Sequence, residues 1–200
     1  MISAIILAAG ESKRMGQAKQ LLGVEGKTLL QSVLDSVLKS DVDEVILVLG
    51  HEAERIRRKM DVRRAIIVVN PNYAKGMITS IQEGLKALDK KSEAFFIILG
   101  DQPEIRPDIY NRLIQEFHRV YPLQSILLPT YQGKKGHPAL FSTKYLAESF
   151  KIRGDVGFKE IVQNHAEDVF LVDVDTPSIL IDIDTPEDYQ EYLRKKSAEK

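Results

Sequence analysis

The residues best suited to chemistry begin with the small, cationic segment ILAAGESKRMGQAK at residues 6–19. Its small residues let the backbone approach a ligand closely, and successive backbone N–H groups in such a loop form an anion site. Arg14 and Lys19 add positive charge that suits phosphate. Gly10 and Gly16 match neither the P-loop nor the dinucleotide-binding glycine spacing. The segment predicts a phosphate-binding loop, and the alternative is a surface turn with solvated bases.

Carboxylates stand at two other places where an apolar run ends. Asp101 follows the run AFFIIL, and Asp182 and Asp184 alternate within the segment DIDTPED. A carboxylate at the end of a buried strand is costly unless a cation pairs with it. Mg²⁺ is a natural partner because it takes oxygen ligands and couples to phosphates. The alternatives are a turn at Asp101 and, from Thr185 onward, a helix cap. That cap does not explain two carboxylates on one face of a strand, whereas a second metal ligand does.

Three further stretches carry weaker signals. Gly76 and Ser80 fall at the start of a predicted helix, where free N–H groups favour anions. Gly76 also suits a purely structural helix start. His137 lies in a basic, glycine-bounded loop without a metal-binding partner nearby in sequence, so we interpret it as structural or substrate-contacting. Asp155 is interpreted as the N-cap of the next helix.

The elements that must position these residues follow from the apolar patterning. It predicts strands at residues 2–7, 44–49, 65–69, 94–99, 125–128, 139–141, 169–174 and 179–183. It predicts helices at residues 28–39, 52–60, 77–88, 107–120, 156–164 and 186–195. Unbroken apolar strands that alternate with helices indicate an α/β fold, a doubly wound, mostly parallel sheet with helices on both faces. Ligands bind at the carboxyl ends of such strands, where the segments described above fall.

Length and composition limit the class of protein. The chain has 200 residues, a net charge of -1 and no cysteine. We expect one domain over residues 1–195 and a disordered tail at 196–200. The missing cysteine excludes disulfides and thiolate chemistry, and the balanced charge argues against nucleic-acid or membrane partners. The sequence contains no apolar run of about 18 residues and no signal-peptide pattern, so we expect a cytoplasmic protein.

The motifs, in their order and spacing, resemble a known family. The segments LAAGESKRMGQAK, NPNYAKGMITS, GDQP, GHP and DIDTPEDY resemble the molybdenum cofactor nucleotidyltransferases, and the cytidylyltransferase branch more closely. The resemblance runs from Ile2 to about Tyr192. It implies a Rossmann-like nucleotidyltransferase fold. It also implies Mg²⁺-dependent transfer of a nucleotidyl group, with CTP favoured, to the terminal phosphate of a molybdopterin-type cofactor, with release of diphosphate.

The resemblance implies a role for each matching residue. The residues implied in the transfer step are Arg14, Lys19 and Asp101. Those implied in binding the nucleotide are Leu7, Ala8, Ala9, Gly10, Ser12, Arg14, Lys19, Gly76, Ser80 and Asp101, although Gly76 and Ser80 also suit the pterin side. Those implied in binding the acceptor are Gln102, Pro103, Gly136, His137 and Asp155. Asp101 and Asp184 are the implied Mg²⁺ ligands, with Asp182 as the alternative second ligand.

Other functions remain compatible with the sequence. A relative could use GTP or ATP, or could activate a sugar or polyol phosphate. A protein of another class would bind the cofactor without chemistry and deliver it to a molybdenum hydroxylase. The intact carboxylates at Asp101 and Asp184 argue against that carrier. In either case, the resemblance implies transient contact with a molybdenum hydroxylase or its maturation factor.

Overall fold

The computed structural model describes residues 1–154 and 157–198. Its strands are β1 (Ile2–Ala8), β2 (Gly23–Val24), β3 (Lys27–Thr28), β4 (Glu44–Leu49), β5 (Ile66–Val69), β6 (Ala94–Leu99), β7 (Ile126–Tyr131), β8 (Lys134–Lys135), β9 (Ala139–Ser142) and β10 (Val169–Asp173). Its helices are α1 (Leu29–Leu38), α2 (Ala53–Arg58), α3 (Met77–Lys86), α4 (Pro107–Val120), α5 (Leu146–Ser149), α6 (Lys159–Asn164) and α7 (Pro186–Ala198).

Within these residues, eight strands form one sheet in the order β10-β7-β9-β6-β1-β4-β5, with β8 added to β7. The strands β6, β1, β4 and β5 are parallel to one another, and β10 is parallel to β7. Within this sheet, as far as it is described, only β9 and the short β8 pair antiparallel with their neighbours, and β2 and β3 form a separate two-stranded antiparallel sheet. The predicted mostly parallel α/β sheet is therefore confirmed.

Both faces of the sheet are covered, because the side chains of β1 point alternately to two apolar clusters. Ile6 packs in one cluster with Leu30 of α1 and Leu113 of α4. Ile5 packs in the other with Ile81 of α3 and with residues of α6. A strand buried on both faces must be apolar at nearly every position, which explains why β1, β4 and β6 were predicted within a residue.

The chain reverses its direction of winding at β1. It runs from β1 to β4 and β5 on one side, then returns through α3 to β6 on the other side. The loops that leave β1 and β6 therefore diverge at the carboxyl edge of the sheet and open a crevice. This is the position at which doubly wound proteins bind their ligands.

The predicted strand at residues 179–183 is wrong. Its first half is a 3₁₀ turn, Pro177–Leu180, and the residues that follow are extended but unpaired. The segment accepts from the N–H of His137 before β9, through the carbonyl of Ile179, and its Ile183 N–H donates to the carbonyl of Asp101 after β6. It therefore crosses the carboxyl edge of the sheet and cannot join a strand ladder, although its apolar side chains are typical of one.

Several other boundaries differ from the prediction, among them the end of β7, which was predicted at residue 128 and lies at Tyr131, and the two that follow. Helix α6 begins at Lys159, since Gly157 adopts a φ of +57° that ends any helical course there. Helix α7 extends to Ala198, so residues 196–198 belong to it and not to the predicted tail. Every helix in the described ranges is too short or too polar to cross a lipid bilayer.

Candidate active site

A pocket of about 510 Å³ opens at the carboxyl edge of the sheet, where the loops after β1 and β6 diverge. We call it the edge pocket. It is lined by residues at and after the end of β1 (Leu7, Ala8, Ala9, Gly10, Glu11, Arg14, Lys19, Gln20), before and within α3 (Tyr73, Ala74, Gly76, Met77, Ser80), at the end of β6 and just after it (Leu99, Gly100, Asp101) and before α7 (Asp182, Asp184).

The loop after β1 is held by a buried glutamine that the sequence analysis did not single out. The Gln20 amide donates to the carbonyls of Ala8, at 3.2 Å, and Gly10, at 3.1 Å, and its Oε1 accepts from the Ser12 hydroxyl. Ser12 Oγ in turn accepts from the backbone N–H of Lys19 at 3.2 Å. Ser12 thus fixes the loop without lining the edge pocket. Only these hydrogen bonds identify Gln20 as the support of the loop, because nothing in its sequence neighbourhood marks it.

Four charged side chains meet in the edge pocket, and we call them the ion cluster: Arg14, Lys19, Asp101 and Asp184. Lys19 Nζ lies 2.5 Å from Asp101 Oδ2 and 2.7 Å from Asp184 Oδ1. Arg14 binds the other oxygen of Asp184 at 2.7 Å. The side chains of Lys19 and Asp101 are each only 16% exposed, whereas Arg14 is 70% exposed. Lys19 and the two carboxylates therefore lie in a partly desolvated setting, and Arg14 lies at its exposed rim.

The ion cluster shifts the pKa values of Lys19 and Asp184. Burial opposes the charge of Lys19, but Asp101 and then Asp184 outweigh it, so the pKa of Lys19 is raised. Burial likewise opposes the charge of Asp184, yet Lys19 and Arg14 hold its pKa below the ordinary value. Among the described residues, Asp182 forms no ion pair, and its Oδ1 accepts from Gln102 instead. Its partial burial, followed by the negative charge of Asp101, raises its pKa.

Asp184 is positioned by the start of α7. Thr185 and Asp188 form the reciprocal cap that the sequence predicted: the backbone N–H of Asp188 donates to Thr185 Oγ1, and Asp188 Oδ2 accepts from the N–H of Thr185. Asp188 Oδ2 also accepts from the N–H of Asp184 at 3.1 Å. Just before Asp184 in the chain, the N–H of Ile183 donates to the carbonyl of Asp101 at 3.0 Å. Backbone bonds therefore bring two carboxylates from distant segments to one pocket.

The donor set of the edge pocket fits a hard divalent cation. Asp101 Oδ1 is buried and has no hydrogen-bond partner among the residues described, so its lone pairs are available to a cation. Asp101 and Asp184 supply the carboxylate oxygens that Mg²⁺ and Mn²⁺ prefer. A second group of possible ligands, His165, Glu167 and Asp168, lies elsewhere. There, Asp168 already binds Lys144 at 2.8 Å and His165 binds Glu148 at 2.7 Å.

The opposite wall of the edge pocket is built around the N-terminus of α3. Gly76 begins this helix with a φ of +111°, a backbone conformation suited to glycine. The fully buried Asn70 donates to Thr79 Oγ1 at 2.8 Å and to Ser80 Oγ at 2.9 Å. Ser80 is thereby held with its hydroxyl at the pocket wall. Gly76 and Ser80, both predicted site residues, lie here, and Asn70 is a supporting residue that the sequence analysis missed.

The predicted acceptor residues lie behind or outside the edge pocket. Gln102 is buried and donates to Asp182 Oδ1 at 2.7 Å, so it touches the pocket through Asp182. Pro103 lines a separate groove beside Glu104 and Arg106. Asp155 lies outside the described residues. Sequence adjacency in GDQP therefore does not bring these side chains to one surface.

Gly136 and His137 pack beneath the segment that carries Asp182 and Asp184. The N–H of His137 donates to the carbonyl of Ile179 at 3.0 Å, and Gly136 passes close to the same group. Burial lowers the pKa of His137, although the charge of Asp101 acts in the opposite direction. His137 Nδ1 is buried without a hydrogen-bond partner in the described part of the chain.

Of the predicted nucleotide-binding residues, all except Ser12 line the edge pocket together: Leu7, Ala8, Ala9, Gly10, Arg14, Lys19, Gly76, Ser80 and Asp101. A switch-point pocket that combines a glycine-containing loop, two bases and paired carboxylates defines a nucleotidyltransferase of the Rossmann-like class.

The chain belongs to the MobA-like NTP transferase domain family, whose profile matches residues 4–179. It is 30% identical over 191 residues to the molybdenum cofactor cytidylyltransferase of Escherichia coli strain K12, covering 94% of this chain and 93% of that protein. The protein is therefore an enzyme of the nucleotidyltransferase class.

Solved structures support the same fold. The crystal structure of a homologue of Mycobacterium tuberculosis Rv0371c, from Mycobacterium sp. strain JC1, has a TM-score of 0.89 and 27% identity. That alignment covers 100% of this chain and 98% of that one. Rv0371c from M. tuberculosis H37Rv in complex with manganese has a TM-score of 0.80 and 30% identity, with coverage of 96% and 98%.

Proposed function

We propose that the protein is a single-domain, Mg²⁺-dependent nucleotidyltransferase that joins CTP to the terminal phosphate of a molybdopterin-type cofactor and releases diphosphate. The ion cluster carries the proposal, because it combines cations for phosphate with carboxylates for a metal at the switch point of the sheet. The relative of 30% identity that is named a molybdenum cofactor cytidylyltransferase supports the choice of nucleotide and acceptor.

The reaction brings two anions together, so neutralisation of charge is the main task of the site. An oxygen of the acceptor phosphate forms a bond to the α-phosphorus of the nucleotide. The bond from that phosphorus to the β-phosphate oxygen breaks, and its electron pair leaves with diphosphate. Arg14 and Lys19 offset the negative charge of the phosphates. A general base is unnecessary, because a phosphate monoester, whose second pKa is about 6, is already ionised at pH 7.

Asp101 and Asp184 would hold the divalent cation. When bound, that cation supplies Lewis-acid stabilisation of the phosphate oxygens. The loop from Leu7 to Gly10 would offer backbone N–H groups to the nucleotide, and Ser80 and Gly76 would face it from the helix α3 side. Gln102 would act on the acceptor side by orienting Asp182, to which it donates at 2.7 Å.

The further acceptor residues enter the proposal with different roles. His137 offers a buried, unpartnered Nδ1 within the described residues, which suits contact with a donor group of the acceptor. Gly136 would act by letting its neighbours pack closely. Pro103 and Asp155 stay in the proposal as acceptor residues only on the resemblance to the family.

The assay for this function is diphosphate release with each of the four ribonucleoside triphosphates, with and without the molybdopterin-type cofactor. We expect release with CTP only when the cofactor is present, because the acceptor phosphate is the attacking group. Release with GTP or ATP instead would contradict the cytidine assignment. Release with a sugar or polyol phosphate would contradict the acceptor. Cofactor binding without release in any combination would favour the carrier function.

Substitutions at the two late carboxylates are expected to identify the second metal ligand. Asp184→Ala should lower turnover at saturating CTP by about 100-fold, the scale reported for loss of one electrostatic group at a reacting centre. Asp184→Asn should be milder, because its amide oxygen still coordinates. Asp182→Asn should be milder still, because its remaining oxygen accepts from Gln102. The measurement is the rate of diphosphate release against Mg²⁺ concentration. Equal losses in Asp184→Asn and Asp184→Ala would make Asp184 structural, and a larger loss in Asp182→Asn would make Asp182 the ligand.

A further inference from the structure

One side chain holds the place between the two carboxylates of the edge pocket. Lys19 Nζ lies 2.5 Å from Asp101 Oδ2 and 2.7 Å from Asp184 Oδ1, so a single ammonium is shared by both. Its side chain is 16% exposed, and that of Asp184 is 27% exposed. Solvent screens these partly buried charges poorly. If the ammonium left and no other cation took its place, the negative charges of the two carboxylates would repel each other.

The two carboxylates that bind Lys19 are also those that a divalent cation would use. An ammonium at hydrogen-bond distance from both carboxylates occupies the space of such a cation and repels it. A cation and Lys19 therefore compete for Asp101 and Asp184. The competition ends only if Lys19 gains another anionic partner.

We propose that Lys19 is an exchangeable counter-ion: it keeps divalent cations off Asp101 and Asp184 until a nucleoside triphosphate draws its ammonium away, so that cation and nucleotide bind together. The inference rests on the proposed function in one respect, namely that the edge pocket binds a nucleotide with a divalent cation. It adds an order of events and a second role for Lys19, which is to hold the carboxylates before the phosphates arrive.

The local structure allows Lys19 to change partners without moving its backbone. Its N–H is fixed to Ser12 Oγ at 3.2 Å, and the next residue, Gln20, is buried against the loop. The long, flexible lysine stem can therefore move alone. Asp184 keeps Arg14 on its other oxygen at 2.7 Å after Lys19 leaves. Asp101 then has two oxygens to offer, since its Oδ1 has no hydrogen-bond partner among the described residues.

The first test uses electron paramagnetic resonance to measure Mn²⁺ binding to the 200-residue protein without nucleotide. Lys19→Gln is expected to bind Mn²⁺ about tenfold or more tightly than the unchanged protein, which lies within the usual range of coupling between sites. The same variant should bind CTP more weakly in the presence of a chelator. The matched control is Lys13→Gln, which removes one positive charge from the same loop. Lys13 is 81% exposed and pairs with Glu11, so its Mn²⁺ affinity should not change.

Two results would overturn the inference. One is equal Mn²⁺ affinity for Lys19→Gln and the unchanged protein. The other is an equal gain in Lys13→Gln, which would reduce the effect to net charge. Lys19→Arg retains the cation and should keep Mn²⁺ binding weak. If Lys19→Arg gained as much Mn²⁺ affinity as Lys19→Gln, that result would also contradict the proposal that Lys19 is an exchangeable counter-ion.

A second measurement uses the unchanged protein, in case Lys19→Gln does not fold. Nuclear magnetic resonance of lysine ammonium groups follows the Lys19 signal, assigned by its loss in Lys19→Arg. Mg²⁺ alone should leave this signal unchanged, and Mg²⁺ with CTP should shift it. A shift with Mg²⁺ alone at the same concentration would contradict the inference. Neither measurement includes an acceptor. A failure of the diphosphate-release assay would therefore count against the proposed function, and a failure of these binding measurements would count against the counter-ion role of Lys19.

Discussion

Asp101→Ala is expected to reduce diphosphate release by about 1,000-fold or more while the protein remains folded. Loss of one preorganised electrostatic group costs about 100- to 1,000-fold at many reacting centres. Asp101 supplies both the main contact of Lys19 and a buried oxygen without a partner among the described residues. Its loss would therefore affect both phosphate neutralisation and the proposed metal site.

The fold should tolerate Asp101→Ala because the structural contact of this residue is made by its backbone. The carbonyl of Asp101 accepts from the N–H of Ile183 at 3.0 Å, and alanine retains that carbonyl. Lys19 would still pair with Asp184. Thermal unfolding should thus give a melting temperature close to that of the unchanged protein.

The measurement is single-turnover release of diphosphate with CTP, Mg²⁺ and the acceptor. Asp61→Ala is the matched control, since Asp61 is exposed, pairs with Arg63 and does not line the edge pocket. That variant should retain full activity. Near-normal turnover of Asp101→Ala in Mg²⁺ would remove Asp101 from the proposed mechanism, and a large drop in melting temperature would make its role structural.

Gly136→Ala is expected to destabilise the protein by about 3 kcal/mol, at the upper end of the usual cost of overpacking. A Cβ at this position would lie 2.2 Å from the carbonyl oxygen of Ile179 and 2.9 Å from its carbon. Backbone bonds fix both sides of the contact, from Gly136 to Pro129 at 2.9 Å and from His137 to Ile179 at 3.0 Å. The clash cannot be relieved by rotating a side chain.

Activity should fall together with stability in Gly136→Ala. The displaced Ile179 precedes Asp182 and Asp184 on the same crossing segment, so both carboxylates would move relative to Asp101. Urea unfolding gives the change in the free energy of unfolding, and diphosphate release gives the change in activity.

Gly23→Ala is the matched control for this substitution. Its Cβ would meet only the carbonyl of Lys27, at an ordinary distance of 3.9 Å, and it should cost little. If Gly136→Ala unfolds at the same urea concentration as Gly23→Ala, close packing at Ile179 is not the reason for glycine at residue 136. Normal stability with lost turnover would instead indicate direct contact of Gly136 with the acceptor.

The sequence by itself determined the central sheet and the side of it that binds ligand. β4 and β6 were predicted with their observed bounds, because a strand buried on both faces leaves an unbroken apolar run. The carboxyl ends of parallel strands meet at one edge. For that reason alone, Arg14, Lys19 and Asp101 could be expected together before any distance was known.

Tertiary structure alone decided how the edge pocket is assembled. Apolar alternation made residues 179–183 resemble a strand, but the neighbours that would pair with it are absent at the edge it crosses, within the part of the chain described. Adjacent residues such as Gln102 and Pro103 were expected to share a site. Gln102 is buried and bonds to Asp182 of the edge pocket, whereas Pro103 lines a separate groove, because packing and not order along the chain sets the direction of a loop side chain.

The contacts that set the charge balance of the edge pocket also could not be predicted from neighbouring residues in the sequence. Lys19 reaches Asp101 across 82 positions of sequence and Asp184 across 165. Its residue type predicted a phosphate contact, and nothing local indicated two carboxylate partners. Gln20, the support of the first loop, carries no motif at all. Residue type and strand order thus determined which chemistry is present and at which edge, whereas long-range backbone bonds decided which charges meet.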